Sequence, residues 1–210
     1  MSIYINTLSL GLMRANCYIV TIPETDSTLV IDPGEYSQKL HDRLRELKIN
    51  KLDYILLTHG HFDHITGARD LQTDFGGKIV IHRSDEPFLS DENKSLSYFL
   101  REPFYPTKAD MVVSDSDLLD FSSENIEVIH TPGHTPGSVC YRVGDNLFSG
   151  DTLFRLSAGR TDFPGGSDVD MMKSMKKLKS ISQNLNVYPG HDRPTELDFE
   201  KCNNPFMREI

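Results

Sequence analysis

Cysteine is scarce in this chain, a basic surplus is absent, and no apolar run is long. The three cysteines, Cys17, Cys140 and Cys202, are an odd number with no CxxC spacing. That excludes a disulfide framework and points to reduced thiols in a reducing compartment. The 22 basic residues stand against 31 acidic ones, for a formal charge of −9. The basic footprint needed for nucleic acid or an anionic membrane is therefore missing. No stretch approaches the roughly 18 apolar residues of a membrane span. The opening MSIYINTLSLGLMRANCYIV has neither the basic start nor the unbroken apolar stretch of a signal peptide. A cytoplasmic protein is expected. No segment has a linker's composition, and there is no close repeat or low-complexity tract. What remains is 210 residues, 38% apolar and 25% charged. This suits one domain over residues 1–210 with a core of its own.

The pattern along the chain is mixed. Strand-like runs at Ile3–Asn6, Cys17–Ile22 and Thr28–Ile31 end in the turn Asp32-Pro33-Gly34. A helix is expected from Tyr36 to Leu47, where Tyr36, Leu40, Leu44 and Leu47 share one face. Strands are expected at Asp53–Leu57 and Lys78–His82, with a helix after His64. Residues 85–110, with prolines at 87, 103 and 106, read as a long loop with one helical piece near Leu96–Leu100. Further strands are expected at Leu118–Phe121, Glu127–His130, Ser138–Val143, Leu147–Ser149 and Asn186–Tyr188. The last is preceded by a helix from Asp168 to Ile181, in which Met171, Met172 and Met175 fill core and the lysines face water. Hairpins precede a helix in each half, which is not a Rossmann series.

Four segments share one design: a short apolar strand runs into a loop holding a histidine or an acid. They are YILLT-HGHFDH (54–64), EVIH-TPGH (127–134), LFSG-D (147–151) and NVYPG-H (186–191). If these strand ends share one edge, their side chains meet at one spot. The first is the strongest. In an extended loop, His59 and His61 point the same way and can grip one ion. A helix starting near Asp63 turns that acid and His64 toward a second position. Imidazole with carboxylate suits zinc, and also iron or manganese. His82 and His130 read as structural groups that orient ligands.

These residues resemble the metallo-β-lactamase superfamily. The resemblance takes in Asp32 in LVIDPG, His59 to His64, His134 in TPGHTPGS, Asp151 in FSGDTLF and His191 in YPGHD. Within that superfamily, FSGDTLF followed by GRTDFPGG, and NNPFMR near the C-terminus, are similar to short bacterial glyoxalase II enzymes. The resemblance implies an α+β fold: an αββα sandwich of two mixed sheets flanked by helices. It implies a first metal site of His59, His61, His134 and Asp151. The second is Asp63, His64, His191 and the same Asp151, with Asp32 behind the ligands. Two divalent ions follow, zinc first among them. Asp63 is also the residue assigned a catalytic part.

The implied activity is hydrolysis of a thioester such as S-lactoylglutathione by a metal-bridging hydroxide. Two ions, two carboxylates and a hydroxide leave the cluster slightly positive, which draws an electron-rich carbonyl into an acidic protein. A thiolate, whose acid has a pKa near 8.5, leaves without a strong general acid. Longer glyoxalase II enzymes carry a C-terminal helical domain that holds glutathione; with His191 so near the last residue, none is expected here. Arg155, Arg160, Tyr105 and Lys108 are the candidates for substrate carboxylates. The partner is then a small glutathione conjugate, not nucleic acid or membrane. Persulfide dioxygenases, which use one iron, also resemble the chain through GRTDF and are the alternative. A β-lactamase fits less well, because Asp151 takes the bridging position.

Overall fold

The structure is a computed structural model that describes residues 2–100 and 103–208. It opens with an antiparallel meander of β1 (Tyr4–Leu10), β2 (Ala15–Ile22) and β3 (Ser27–Ile31). Helix α1 (Gln38–Glu46) leads to β4 (Tyr54–Leu56), the single turn α2 (Phe62–Ile65), α3 (Ala68–Phe75) and β5 (Lys78–His82). After an irregular segment comes β6 (Met111–Val113). β3 to β6 pair in parallel and complete a six-stranded mixed sheet in chain order.

The second half repeats the plan. β7 (Leu118–Phe121), β8 (Glu124–His130), β9 (Val139–Val143) and β10 (Asn146–Gly150) are antiparallel neighbours. A two-stranded ribbon, β11 (Leu153–Phe154) and β12 (Ser157–Ala158), precedes α4 (Asp168–Lys179). β13 (Asn186–Pro189) then lies parallel to β10, with β14 (Thr195–Glu196) at its side, before α5 (Leu197–Asn203) and α6 (Pro205–Arg208). The second sheet has the order β14-β13-β10-β9-β8-β7.

Period-two alternation along the strands dictates the layering. In β2, Cys17 and Ile19 face the core under α1 and α3, while Tyr18 and Val20 face the opposite sheet. Ile55 and Leu56 of β4, and Ile79 and Val80 of β5, split the same way. In the second sheet, Tyr141 and Phe148 enter the inter-sheet core; Cys140 and Leu147 pack with Met171, Met175 and Leu178 of α4. Three apolar layers between four layers of structure make the αββα sandwich. Among the described residues, no helix is long and apolar enough to cross a membrane.

The differences from expectation are local. Residues 85–110 hold two 3-10 turns, Glu86–Ser90 and Ser97–Phe99. β6, β14, α5 and α6 carry no expectation from the sequence. The helix after His64 begins earlier, at Phe62, with His61 at its N-cap position.

Candidate metal centre

Strand direction builds the site. β3, β4 and β5 run parallel, so their carboxyl ends share one edge and deliver Asp32, the His59–His64 loop and Asp85 side by side. In the facing sheet, β8, β10 and β13 all run one way, since β8 and β10 are both antiparallel to β9. Their ends deliver His134, Asp151 and His191. The structure thus brings together all seven candidate ligands from four loops. His59, His61 and His134 form one set; His59, His64 and Asp151 a second; Asp63, His64 and His191 a third, each with ligand atoms within 4.8 Å of one another.

Hydrogen bonds behind the rings fix which nitrogens face inward. His134 Nδ1 lies 2.7 Å from the Arg160 carbonyl, which only accepts, so the proton sits on Nδ1 and the Nε2 lone pair points into the site. Asp32 Oδ2 accepts from His64 Nδ1 at 2.9 Å and from Thr58 Oγ1 at 2.6 Å. Thr58 Oγ1 has thereby used its proton, so at 3.2 Å it accepts from His59 Nδ1. His59 is left with an inward Nε2 lone pair, and Nε2 is the nitrogen of His64 not held by Asp32. Asp32 holds this position from a left-handed backbone, φ 51°.

Buried polar groups are normally satisfied. Here His59 Nε2, His61 Nε2, His64 Nε2 and Asp151 Oδ1 are buried without hydrogen-bond partners. His64 Nε2 and Asp151 Oδ1 are 3.6 Å apart and share a donor set with His59, while His61 turns its Nδ1 inward, 2.9 Å from His134 Nε2. That pattern fits a metal site to which His59, His61, Asp63, His64, His134, Asp151 and His191 could each lend a ligand atom. Asp151 lies close to three of the others: Oδ1 is 3.6 Å from His64 Nε2, and Oδ2 is 3.5 Å from His134 Nε2 and 3.6 Å from His191 Nε2. Gly190 keeps the space open, because a Cβ there would stand 2.1 Å from Asp151 Oδ1 and 2.9 Å from His64 Cε1.

Electrostatics agree. Burial, with neighbouring histidines, drives His59 well below the ordinary histidine range and takes His61 down to about 3. Both are neutral at physiological pH, the form that ligates. Burial alone would raise Asp63, but His64 and His191 hold it below the usual carboxylate range. Burial likewise opposes charge on His64, yet Asp63, Asp32 and Asp151 lift it to about 10 in the metal-free chain. The pocket is negative enough to hold a proton where a cation belongs.

Asp85 is a residue the sequence reading missed. It is fully buried. Its Oδ2 accepts from the Gly60 N–H at 2.9 Å and Thr135 Oγ1 at 2.6 Å, and its Oδ1 from the Gly137 N–H at 2.7 Å. One carboxylate therefore ties the loop between His59 and His61 to the loop after His134. The only signal for it in the sequence is its place just past the end of β5, as Asp32 lies just past β3.

The four substrate candidates are not gathered. Arg160 is exposed and forms a bidentate pair with Asp162, 2.6 Å at each contact, over the Phe163 ring. The Arg155 guanidinium lies 4.4 Å from the Phe199 ring centroid on α5. Lys108 is exposed. Of the four, Tyr105 alone lines a cleft together with Asp63.

His82 and His130 stack with ring centroids 4.0 Å apart, and His130 Nε2 donates to the Pro136 carbonyl in the His134 loop at 2.9 Å. Burial, then His130, push His82 down to about 4. A histidine with a depressed folded pKa binds its proton more readily when unfolded. Stability of the metal-free chain is therefore expected to fall as pH drops from about 6.5 toward 4. His82→Gln should flatten that limb, read as the Tm difference between variant and parent across the range. An unchanged slope would contradict it.

Residues 10–191 match the metallo-beta-lactamase superfamily. The chain is 32% identical over 201 residues to hydroxyacylglutathione hydrolase GloC of Haemophilus influenzae, covering 92% of this chain and 93% of that one. Among solved structures, the BLEG-1 B3 metallo-beta-lactamase superposes with a TM-score of 0.90 at 31% identity, over 97% of this chain and 99% of that one. TTHA1623 in a di-iron-bound form gives 0.84 at 32% identity, over 96% and 99%. ETHE1 from Myxococcus xanthus gives 0.76 at 27% identity, over 96% and 83%. The two facing sheets, the strand-end ligands and these likenesses agree: the chain belongs to the metallo-beta-lactamase superfamily.

Proposed function

We propose that the protein is a dinuclear thioester hydrolase acting on S-lactoylglutathione or a related glutathione conjugate. The observation that carries this reading is Asp151 standing between two separate donor sets. Bound divalent ions supply a water of lowered pKa and a Lewis acid for the carbonyl oxygen. Zinc suits the donors, as do iron and manganese. The chain orients this chemistry. Asp32, Thr58 and the Arg160 carbonyl hold protons on the outer nitrogens of His64, His59 and His134. Asp63, ionised and 3.3 Å from His191 at its Oδ2, is placed to accept a proton at the mouth of the site. A thiolate then departs unaided, which favours thioesters over amides. The likeness to GloC supports the reading. The GRTDF segment keeps persulfide dioxygenase as the second reading, and the two part on metal number.

The test is hydrolysis of S-D-lactoylglutathione by metal-loaded protein, then by protein stripped with chelator. Turnover is expected to disappear on stripping and to return with zinc, manganese or iron, at two ions per chain. One iron per chain, with oxygen uptake on glutathione persulfide and no thioester hydrolysis, would overturn it.

A further inference from the structure

A cleft of about 570 Å³ opens beside Asp63 and runs along α2 and α3. Phe62 of α2, Thr66 at its C-cap position and Arg69 of α3 line the cleft together with Asp63. Leu12 and Tyr105 give the cleft apolar surface, and Glu35 and Asp70 give it acid.

Arg69 differs from the other arginines near the site. Arg160 is engaged by Asp162 and Arg155 lies against Phe199. Arg69 is exposed, with its guanidinium 5.8 Å from the Tyr105 ring centroid, and among the described residues no carboxylate pairs with it. A guanidinium resting on an aromatic face keeps its N–H fork available for a carboxylate. Glu35 is fixed in the wall by the Gly11 N–H at 3.0 Å. One cation flanked by two carboxylates disfavours a polyanion such as a polyphosphate. It favours a group carrying a carboxylate and an ammonium together.

We propose that this cleft reads the non-reacting thiol half of the substrate through an amino-acid end: Arg69 takes a carboxylate, while Glu35 and Asp70 face an ammonium. The reacting bond is taken from the thioester reading above; the cleft itself is tested without it. The probe is S-methylglutathione, an unreactive thioether with a blocked sulfur, titrated calorimetrically into the metal-loaded protein. Saturable binding is expected, weakened about tenfold by Arg69→Ala and by Arg69→Gln, and unchanged by Lys173→Ala. N-acetylating the probe is expected to weaken binding to the parent, and less so to Glu35→Gln/Asp70→Asn. Two variants at Arg69, each checked by its Tm, separate lost contact from lost fold. Equal affinity of parent and Arg69 variants, or no saturable binding to the parent, overturns the proposal. Thioester hydrolysis with a KM indifferent to Arg69 would sink the cleft and leave the hydrolase standing. Arg69-dependent binding without hydrolysis would do the reverse.

Discussion

Asp151→Asn is expected to cut metal content from two ions per chain to one or none and to lower thioester hydrolysis by about a thousandfold. The substitution keeps the shape and removes the charge. Asp151 lies within 3.6 Å of imidazole nitrogens from three loops, His64, His134 and His191, and an amide nitrogen in place of one oxygen cannot ligate. Losing an outer partner of a ligand commonly costs 10- to 100-fold; losing the ligand common to both donor sets should cost more. Elemental analysis after gel filtration, beside initial rates, checks both parts. A variant that retains two ions would show that Asp151 bridges nothing.

Asp85→Ala is expected to lower the unfolding free energy by about 3–5 kcal/mol, read from urea titration of the metal-free chain. The carboxylate satisfies two buried backbone N–H groups and one hydroxyl. Truncation strands the buried N–H groups of Gly60 and Gly137. A net stability of about 5–15 kcal/mol is usual for a domain, so the loss would be a large share. Asp85→Asn should cost less, because one oxygen still accepts from Gly60 and Thr135. Burial raises the Asp85 pKa, yet the three donors require its oxygens as acceptors. A loss below about 1 kcal/mol for the alanine variant would show that the two loops hold without it.

The candidate ligand set stood out in the sequence because its chemistry is local. His59, His61, Asp63 and His64 fall within six positions after a buried strand, and the later ligands each close another such strand. The sandwich was legible through the resemblance its motifs carry, and β2, β5 and β9 do alternate between two buried faces. β6 and β14 are too short for any period to show. α5 escaped because its buried residues are few, Leu197 and Glu200, the latter an acid that accepts from Thr195 and Asn204 inside the fold. Asp85 escaped because its partners lie 25, 50 and 52 residues away. Arg155 and Arg160 were chosen for closeness to Asp151 in sequence. Tertiary packing, which sequence distance does not report, sends their guanidinium groups to Phe199 and Asp162.

The first four candidate ligands follow β4 of one sheet and the last three follow strands of the other, and the last of all follows β13, which must lie down beside β10 before His191 arrives. A chain emerging in order from its N-terminus therefore carries the four residues of the first loop long before their partners exist. Free in solution, such a loop grips an ion no better than a short flexible peptide, because folding and tight metal capture share one free energy. A metal held by donors from both halves would be captured only once β13 is in place. It would staple the first half of the chain to the second, so chelation should loosen the seam between the sheets before it loosens either sheet.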